Sequence, residues 1–210
     1  MCHELRPGAV EFEVALHQLS GMGSPERPGP LRSILGELGV LDKVEFVEIE
    51  NLYRVVWPGE FDITLQAERG AIIDTLQQRF PKEKESIPKF FDLLYGFSMQ
   101  MIQGLFFHDP EISKEKYPLY FKYAFRPTQE VLDEFFSDPI LKASLSIYWS
   151  YVGVPPRGLP FGDFAIMLFS YIEFKPYHLN GGSQALSSAL LDEFLSCGGE
   201  ARLSCGATKI

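Results

Sequence analysis

Val44-Glu45-Phe46-Val47-Glu48-Ile49, Tyr53-Arg54-Val55-Val56-Trp57 and Phe61-Asp62-Ile63-Thr64-Leu65 follow one another in the chain, with Pro58-Gly59-Glu60 between the last two. β-Branched and aromatic side chains suit a pleated, half-buried surface, and short runs of them bounded by breakers predict strands. The reading is a meander of three strands. A different period follows: Ile72, Leu76 and Phe80 recur at helical spacing until Pro81 ends the helix. Strands followed by helices give an α+β class, a meander β-sheet covered by helices.

Working outward, Ser86 before Ile87-Pro88 starts a helix that continues to about Phe107. Asp92, Gly96, Gln100 and Gln103 make a narrow polar stripe on it, opposite Phe90, Leu94, Phe97, Met101 and Leu105. Pro127 and Asp138-Pro139 each open a helix, so residues 127–151 read as two successive helices. The apolar element at 164–174 fits helix or strand. From Ser183 an amphipathic helix runs to the stop at Gly198, and residues 203–210 read as a strand. Toward the N-terminus, alternation over Val10, Phe12, Val14 and Leu16 predicts a strand. A Gly- and Pro-rich loop from Gly21 to Pro30 and a short helix ending at Gly39 come next.

Composition narrows the function. The net charge of −9, with no basic cluster, disfavours a nucleic-acid partner. The three cysteines, Cys2, Cys197 and Cys205, form no CxxC pair and read as reduced cytosolic thiols. No apolar targeting run follows Met1, and the uncharged stretch 93–107 is too short to cross a bilayer, though it could lie on one. The expected location is cytoplasmic, with peripheral membrane contact. The conspicuous figure is 14% aromatic residues, including 18 Phe, which need partners to pack against.

The four histidines are far apart and no HExxH, GxSxG, P-loop or GxGxxG motif is present, so no metal site is expected and catalytic residues stay unassigned. Gly21-Met22-Gly23 leads into Ser24-Pro25 rather than a helix and reads as a loop. Gly181-Gly182 does precede a helix. Paired glycines there let a backbone approach a flat ligand, and a simple turn explains them equally well.

Phe12-Glu13-Val14-Ala15-Leu16-His17, Gly36-Glu37-Leu38-Gly39-Val40-Leu41-Asp42, Trp57-Pro58-Gly59, Asp138-Pro139-Ile140-Leu141-Lys142-Ala143, Gly153-Val154-Pro155-Pro156, Asn180-Gly181-Gly182 and the ending from Gly198-Gly199 to Ile210 occur in that order. Together they resemble the phytoene desaturase, carotenoid isomerase and retinol saturase family of FAD-dependent oxidoreductases. Glu13, Ala15, Leu179 and Ala207 stand where that family usually has Asp, Gly, Pro and Val.

The resemblance implies a substrate-binding part of an enzyme that desaturates, saturates or isomerises C=C bonds of an apolar polyene or isoprenoid. FAD would be the cofactor and NAD(P) a candidate electron carrier. It implies an interior piece, with 1–43 a partial FAD-domain segment and loop, 44–174 the substrate-binding domain and 175–210 the return to the FAD domain. Gly181, Gly182 and Ala207 are the implied flavin neighbours, and His17 and His178 would face flavin and substrate. Phe97, Met101, Phe106 and Phe107, with Tyr148, Trp149 and Phe169, are candidates to wall an apolar tunnel, against the alternative of ordinary core. The rival class is a non-catalytic module that binds a lipid, an isoprenoid or a partner protein through the same surface.

Overall fold

The computed structural model describes residues 17–206 and the backbone of two short strands, β1 (Glu4–Leu5) and β2 (Phe12–Glu13), which pair antiparallel. Beyond β2, the strand expected over 10–16 lies outside the described residues, as do residues 207–210. Next come α1 (Pro30–Glu37), β3 (Phe46–Glu48), β4 (Asn51–Trp57), β5 (Phe61–Gln66), α2 (Arg69–Arg79) and α3 (Ser86–Met101). The remaining elements are α4 (Pro118–Tyr123), α5 (Thr128–Phe135), α6 (Pro139–Leu145), α7 (Trp149–Val152), α8 (Phe161–Glu173), β6 (Tyr177–Leu179) and α9 (Gly182–Ser196). The class is α+β, with small antiparallel sheets. The chain forms two compact units, one of residues 1–49 with 174–210, the other of residues 50–173.

In the first unit β3 pairs antiparallel with β6, placing Phe46 opposite Leu179, Val47 opposite His178 and Glu48 opposite Tyr177. The three-stranded meander is thereby corrected: β3 leaves the other two strands and joins one from the far end of the chain. Alternation along β6 buries Tyr177 and Leu179 and exposes His178. Met22, Leu35, Val40, Val44 and Ala189 complete this small core.

The Gly-rich loop is tied tightly into the same unit. The Gly23 N–H donates to the Phe174 carbonyl at 2.8 Å, and the Gly29 N–H to that of Met22 at 2.8 Å. A Cβ on Gly29 would stand 2.3 Å from the Gly21 oxygen, so no side chain fits there.

The second unit keeps the hairpin. β4 and β5 pair with Val55 opposite Ile63 and Trp57 opposite Phe61. The turn uses Gly59 at φ +78°, and Phe61, Ile63 and Leu65 point into the core. Asp138 caps α6 by accepting from the Ile140 and Leu141 N–H groups at 2.8 and 3.1 Å, with Pro139 in the first turn.

Residues 127–151 hold three helices where two were expected, because Ser146 and Ile147 break the run before α7. The undecided element at 164–174 belongs to α8, whose Phe161, Phe164, Ala165, Leu168, Phe169 and Ile172 recur at helical spacing and are buried. Its Phe161 ring packs edge-on against Phe97 of α3 at 5.3 Å. The expected final strand is not present over 203–206, which are turn and irregular backbone.

Candidate functional site

The glycine-bearing turn between β6 and α9 is built by two successive left-handed residues, Gly181 at φ +83° and Gly182 at φ +69°. L-residues are strained there, so the backbone itself demands glycine. A Cβ on Gly181 would contact Ala185 Cβ at 3.3 Å on the helix side, and the residue is otherwise exposed. Asn180, just before the turn, is held by its side chain donating to Glu45 at 2.6 Å. His178 faces outward beside Val47, which is also largely exposed. His17 is exposed two residues before Leu19, whose backbone exchanges hydrogen bonds with Tyr177 at 2.8 Å. Thus His17, His178, Gly181 and Gly182 belong to one unit around β6, and Ala207 lies outside the described residues.

Tyr177 anchors this region from beneath. Its hydroxyl lies 2.9 Å from the Gly23 carbonyl and 3.1 Å from the Glu48 carboxylate, and Arg32 reaches the Met22 and Gly23 carbonyls at 3.2 and 3.1 Å. Burial and then the Glu48 carboxylate push the Tyr177 hydroxyl above the ordinary tyrosine value. Sequence reading missed this network because its members are scattered. The one available signal was the glycine spacing at 21, 23 and 29.

The aromatic candidates belong to the second unit and separate by exposure. Phe97, Tyr148 and Phe169 are buried, Met101 and Trp149 half-buried, and Phe106 and Phe107 project outward. Phe169 packs edge-on to Tyr95 at 4.9 Å. Tyr148 stacks on Tyr171 at 4.7 Å and stands edge-on to Tyr53 at 5.1 Å, so the rings around it are protein rings.

Sequence reading did not anticipate Tyr53 and Tyr171. The Tyr53 hydroxyl donates to the Ser144 carbonyl at 2.9 Å. Burial raises all three hydroxyls, Tyr171 to about 12, so each stays a protonated donor through the neutral range. Trp149 differs from its neighbours. It lines a surface hollow of about 600 Å³ together with Gln129, Lys142 and Arg157.

No family model matches this sequence. The chain is 26% identical over 197 residues to all-trans-retinol 13,14-reductase of Rattus norvegicus. The alignment covers 87% of this chain and 32% of the rat protein, so the chain spans about a third of the curated relative it matches.

Proposed function

We propose that the chain is the substrate-binding portion of an FAD-dependent oxidoreductase that desaturates, saturates or isomerises C=C bonds of a polyene or isoprenoid. The observation that carries this reading is the similarity to all-trans-retinol 13,14-reductase along 87% of the chain. FAD, when bound, supplies hydride transfer, and the protein supplies position and water exclusion.

The β6–α9 turn suits a flat partner, because Gly181 is exposed and carries no side chain to hold a ring away. His178, exposed on β6 two residues before Asn180, is the titratable group assigned to orienting a ligand there, with the Glu45 carboxylate already engaged by Asn180. In the other unit, half-buried Trp149 offers an aromatic wall at the edge of its hollow. In the same unit the buried Tyr53 hydroxyl donates to the Ser144 carbonyl at 2.9 Å, and burial raises it above the ordinary tyrosine value.

The test is titration of the 210-residue chain with all-trans-retinol, with and without FAD, followed by tryptophan quenching and the visible flavin spectrum. Saturable retinol uptake that added FAD tightens is the expected result. Retinol uptake indifferent to FAD, with a colourless protein, would instead favour a non-catalytic isoprenoid-binding module. Saturable binding of neither ligand would sink both readings.

A further inference from the structure

We infer that the hollow beside Trp149 receives the carboxylate end of a conjugated acid, so that among polyenes this chain selects an acid over the corresponding alcohol. The inference rests on the polyene reading above and names the end group which that reading leaves open. Its experiment separates the two, because equal binding of acid and alcohol removes the inference alone.

The hollow lies within the second unit and is built on short, fixed segments. α5 supplies Gln129 and Asp133, α6 supplies Lys142, the start of α7 supplies Trp149, and the loop before α8 supplies Arg157. That loop is tied down along its length. The Gln129 backbone N–H donates to the Pro156 carbonyl at 3.0 Å, and the Thr128 N–H and hydroxyl both donate to the Leu159 carbonyl at 2.8 Å. The Gly158 and Leu159 N–H groups close on the Pro155 carbonyl at 2.8 and 2.9 Å. Trp149 is fixed from its own side. Its backbone N–H donates to the Ser146 carbonyl at 2.9 Å, and its carbonyl accepts from Gly153, whose φ of +74° ends α7. Walls set beforehand lose little freedom when a ligand arrives.

Charge decides what fits. Lys142 reaches Asp133 at 2.6 Å, and the Gln129 side chain donates to the same carboxylate at 2.9 Å. Lys142 and then Gln129 hold the Asp133 carboxyl below its ordinary value, so it stays ionised through the neutral range and answers Lys142. Arg157 feels Asp133 only at a distance and, among the described residues, forms no hydrogen bond or ion pair. Two cations against one carboxylate leave the hollow with a single positive charge, in a chain of net charge −9. One planar guanidinium matches a carboxylate, which accepts two parallel bonds from it. A phosphate dianion would find only half of its charge answered.

The remaining lining fits the rest of such a ligand. Trp149 and Ile147, both half-buried, offer an apolar wall for a flat conjugated chain. Ser146 adds a hydroxyl that is only 4% exposed, yet its contact is the Ala143 carbonyl of its own turn at 3.5 Å, the outer limit of a hydrogen bond. A buried donor so weakly met is one that a ligand oxygen improves. The volume, about 600 Å³, lies within the roughly 300–1,000 Å³ of small-molecule sites.

The measurement is quenching of Trp149 fluorescence as the full chain is titrated at neutral pH with all-trans-retinoate and with all-trans-retinol. A Trp57→Phe background removes the other, exposed tryptophan. Retinoate should bind at least about five-fold more tightly than retinol, and added salt should shrink that advantage. Arg157→Gln should bring retinoate down to the retinol affinity and leave retinol unchanged, whereas Arg157→Lys, which keeps the charge and loses the fork, should fall between. Arg157 is exposed, so neither variant should alter the circular dichroism spectrum. Retinol bound as tightly as retinoate overturns the inference and leaves the polyene reading standing. A retinoate advantage that survives Arg157→Gln overturns it too, since the acid is then held elsewhere. Binding of neither polyene removes both readings. Adenosine monophosphate that displaces retinoate at equal concentration would assign the hollow to nucleotides and overturn the inference in their favour.

Discussion

Removing the Glu83 carboxylate should weaken the second unit more than any other single change to a charged residue in it. Glu83 sits in a charged run, Lys82-Glu83-Lys84-Glu85, yet is only 6% exposed. One of its oxygens accepts from the Ser137 N–H at 2.7 Å, the Ser137 hydroxyl at 2.7 Å and the Asp138 N–H at 2.9 Å. It therefore clamps the link between α2 and α3 to the link between α5 and α6. Hydrogen bonds to a charged group contribute about 1.5–3 kcal/mol each, but these three share one acceptor and Ser137 is open to water. Glu83→Ala should thus cost about 2–3 kcal/mol, and Glu83→Gln, which keeps the oxygen and loses the charge, about 1 kcal/mol.

Burial alone would raise this carboxyl, but the Ser137 and Asp138 donors outweigh it and hold the group below its usual 4.5. A carboxyl depressed in the folded state stabilises above its unfolded value and loses that contribution as pH falls through the folded one. The gap between wild type and Glu83→Ala should therefore be full at pH 7 and narrow as pH falls below the usual 4.5 and on through the depressed value. Both tryptophans, Trp57 and Trp149, lie in residues 50–173, so urea unfolding followed by tryptophan fluorescence reports this unit. A midpoint shift of about 1 M or more is expected for alanine. A loss under about 0.5 kcal/mol, or a gap that persists unchanged at pH 3, would refute the clamp.

Phe97→Ala should cost the same unit about 3–5 kcal/mol, because its ring packs fully against protein, whereas Phe107→Ser should change stability by less than about 0.5 kcal/mol; the urea midpoint separates the two. Near-neutral Phe97→Ala would mean that its ring lines open space. Asp109, lowered to about 2 first by Lys116 and then by Tyr117, should hold the 104–117 bend while ionised and release it as pH falls through that value. Amide exchange at Glu111 should accelerate in Asp109→Asn at pH 7, and no acceleration would remove this carboxylate from the support of Phe106 and Phe107.

What the sequence made legible was local. The β4–β5 hairpin follows from Trp57-Pro58-Gly59-Glu60 between alternating runs, and α6 follows from Asp138-Pro139, since cap and turn residues act on immediate neighbours. α8 was undecided only because most of its length is apolar, although Phe161, Phe164, Leu168 and Ile172 carried the helical period. The β3–β6 pairing was illegible, because Phe46 and Leu179 come from opposite ends of the chain and three-residue strands leave little pattern. Glu83 looked like one more charge in a solvated run, and nothing local shows that Ser137 and Asp138 fold over it. The apolarity of Phe106 and Phe107 was plain, and their exposure was not. It depends on a π turn and on Tyr117 covering Gly104.

The glycine pair now has a sufficient cause in the backbone. With φ at +83° and +69°, Gly181 and Gly182 would be glycine in a turn that never met a ligand, so their identity no longer favours a cofactor over a bend. What distinguishes the two is the space beside them. Gly23 and Gly29 are hemmed in by their own chain, with a Cβ on either meeting backbone oxygen closer than 2.5 Å, and no ligand could approach them. Gly181 meets only Ala185 Cβ, and then at 3.3 Å, and is exposed beyond it. Gly39 and Gly198, also at positive φ in the first unit, leave space beside them too, and the turn before α9 is the one of these that follows the outward-facing His178. A flavin or another planar partner has access there and is sterically excluded from the Gly23–Gly29 loop, which is why the β6–α9 turn carries the cofactor proposal.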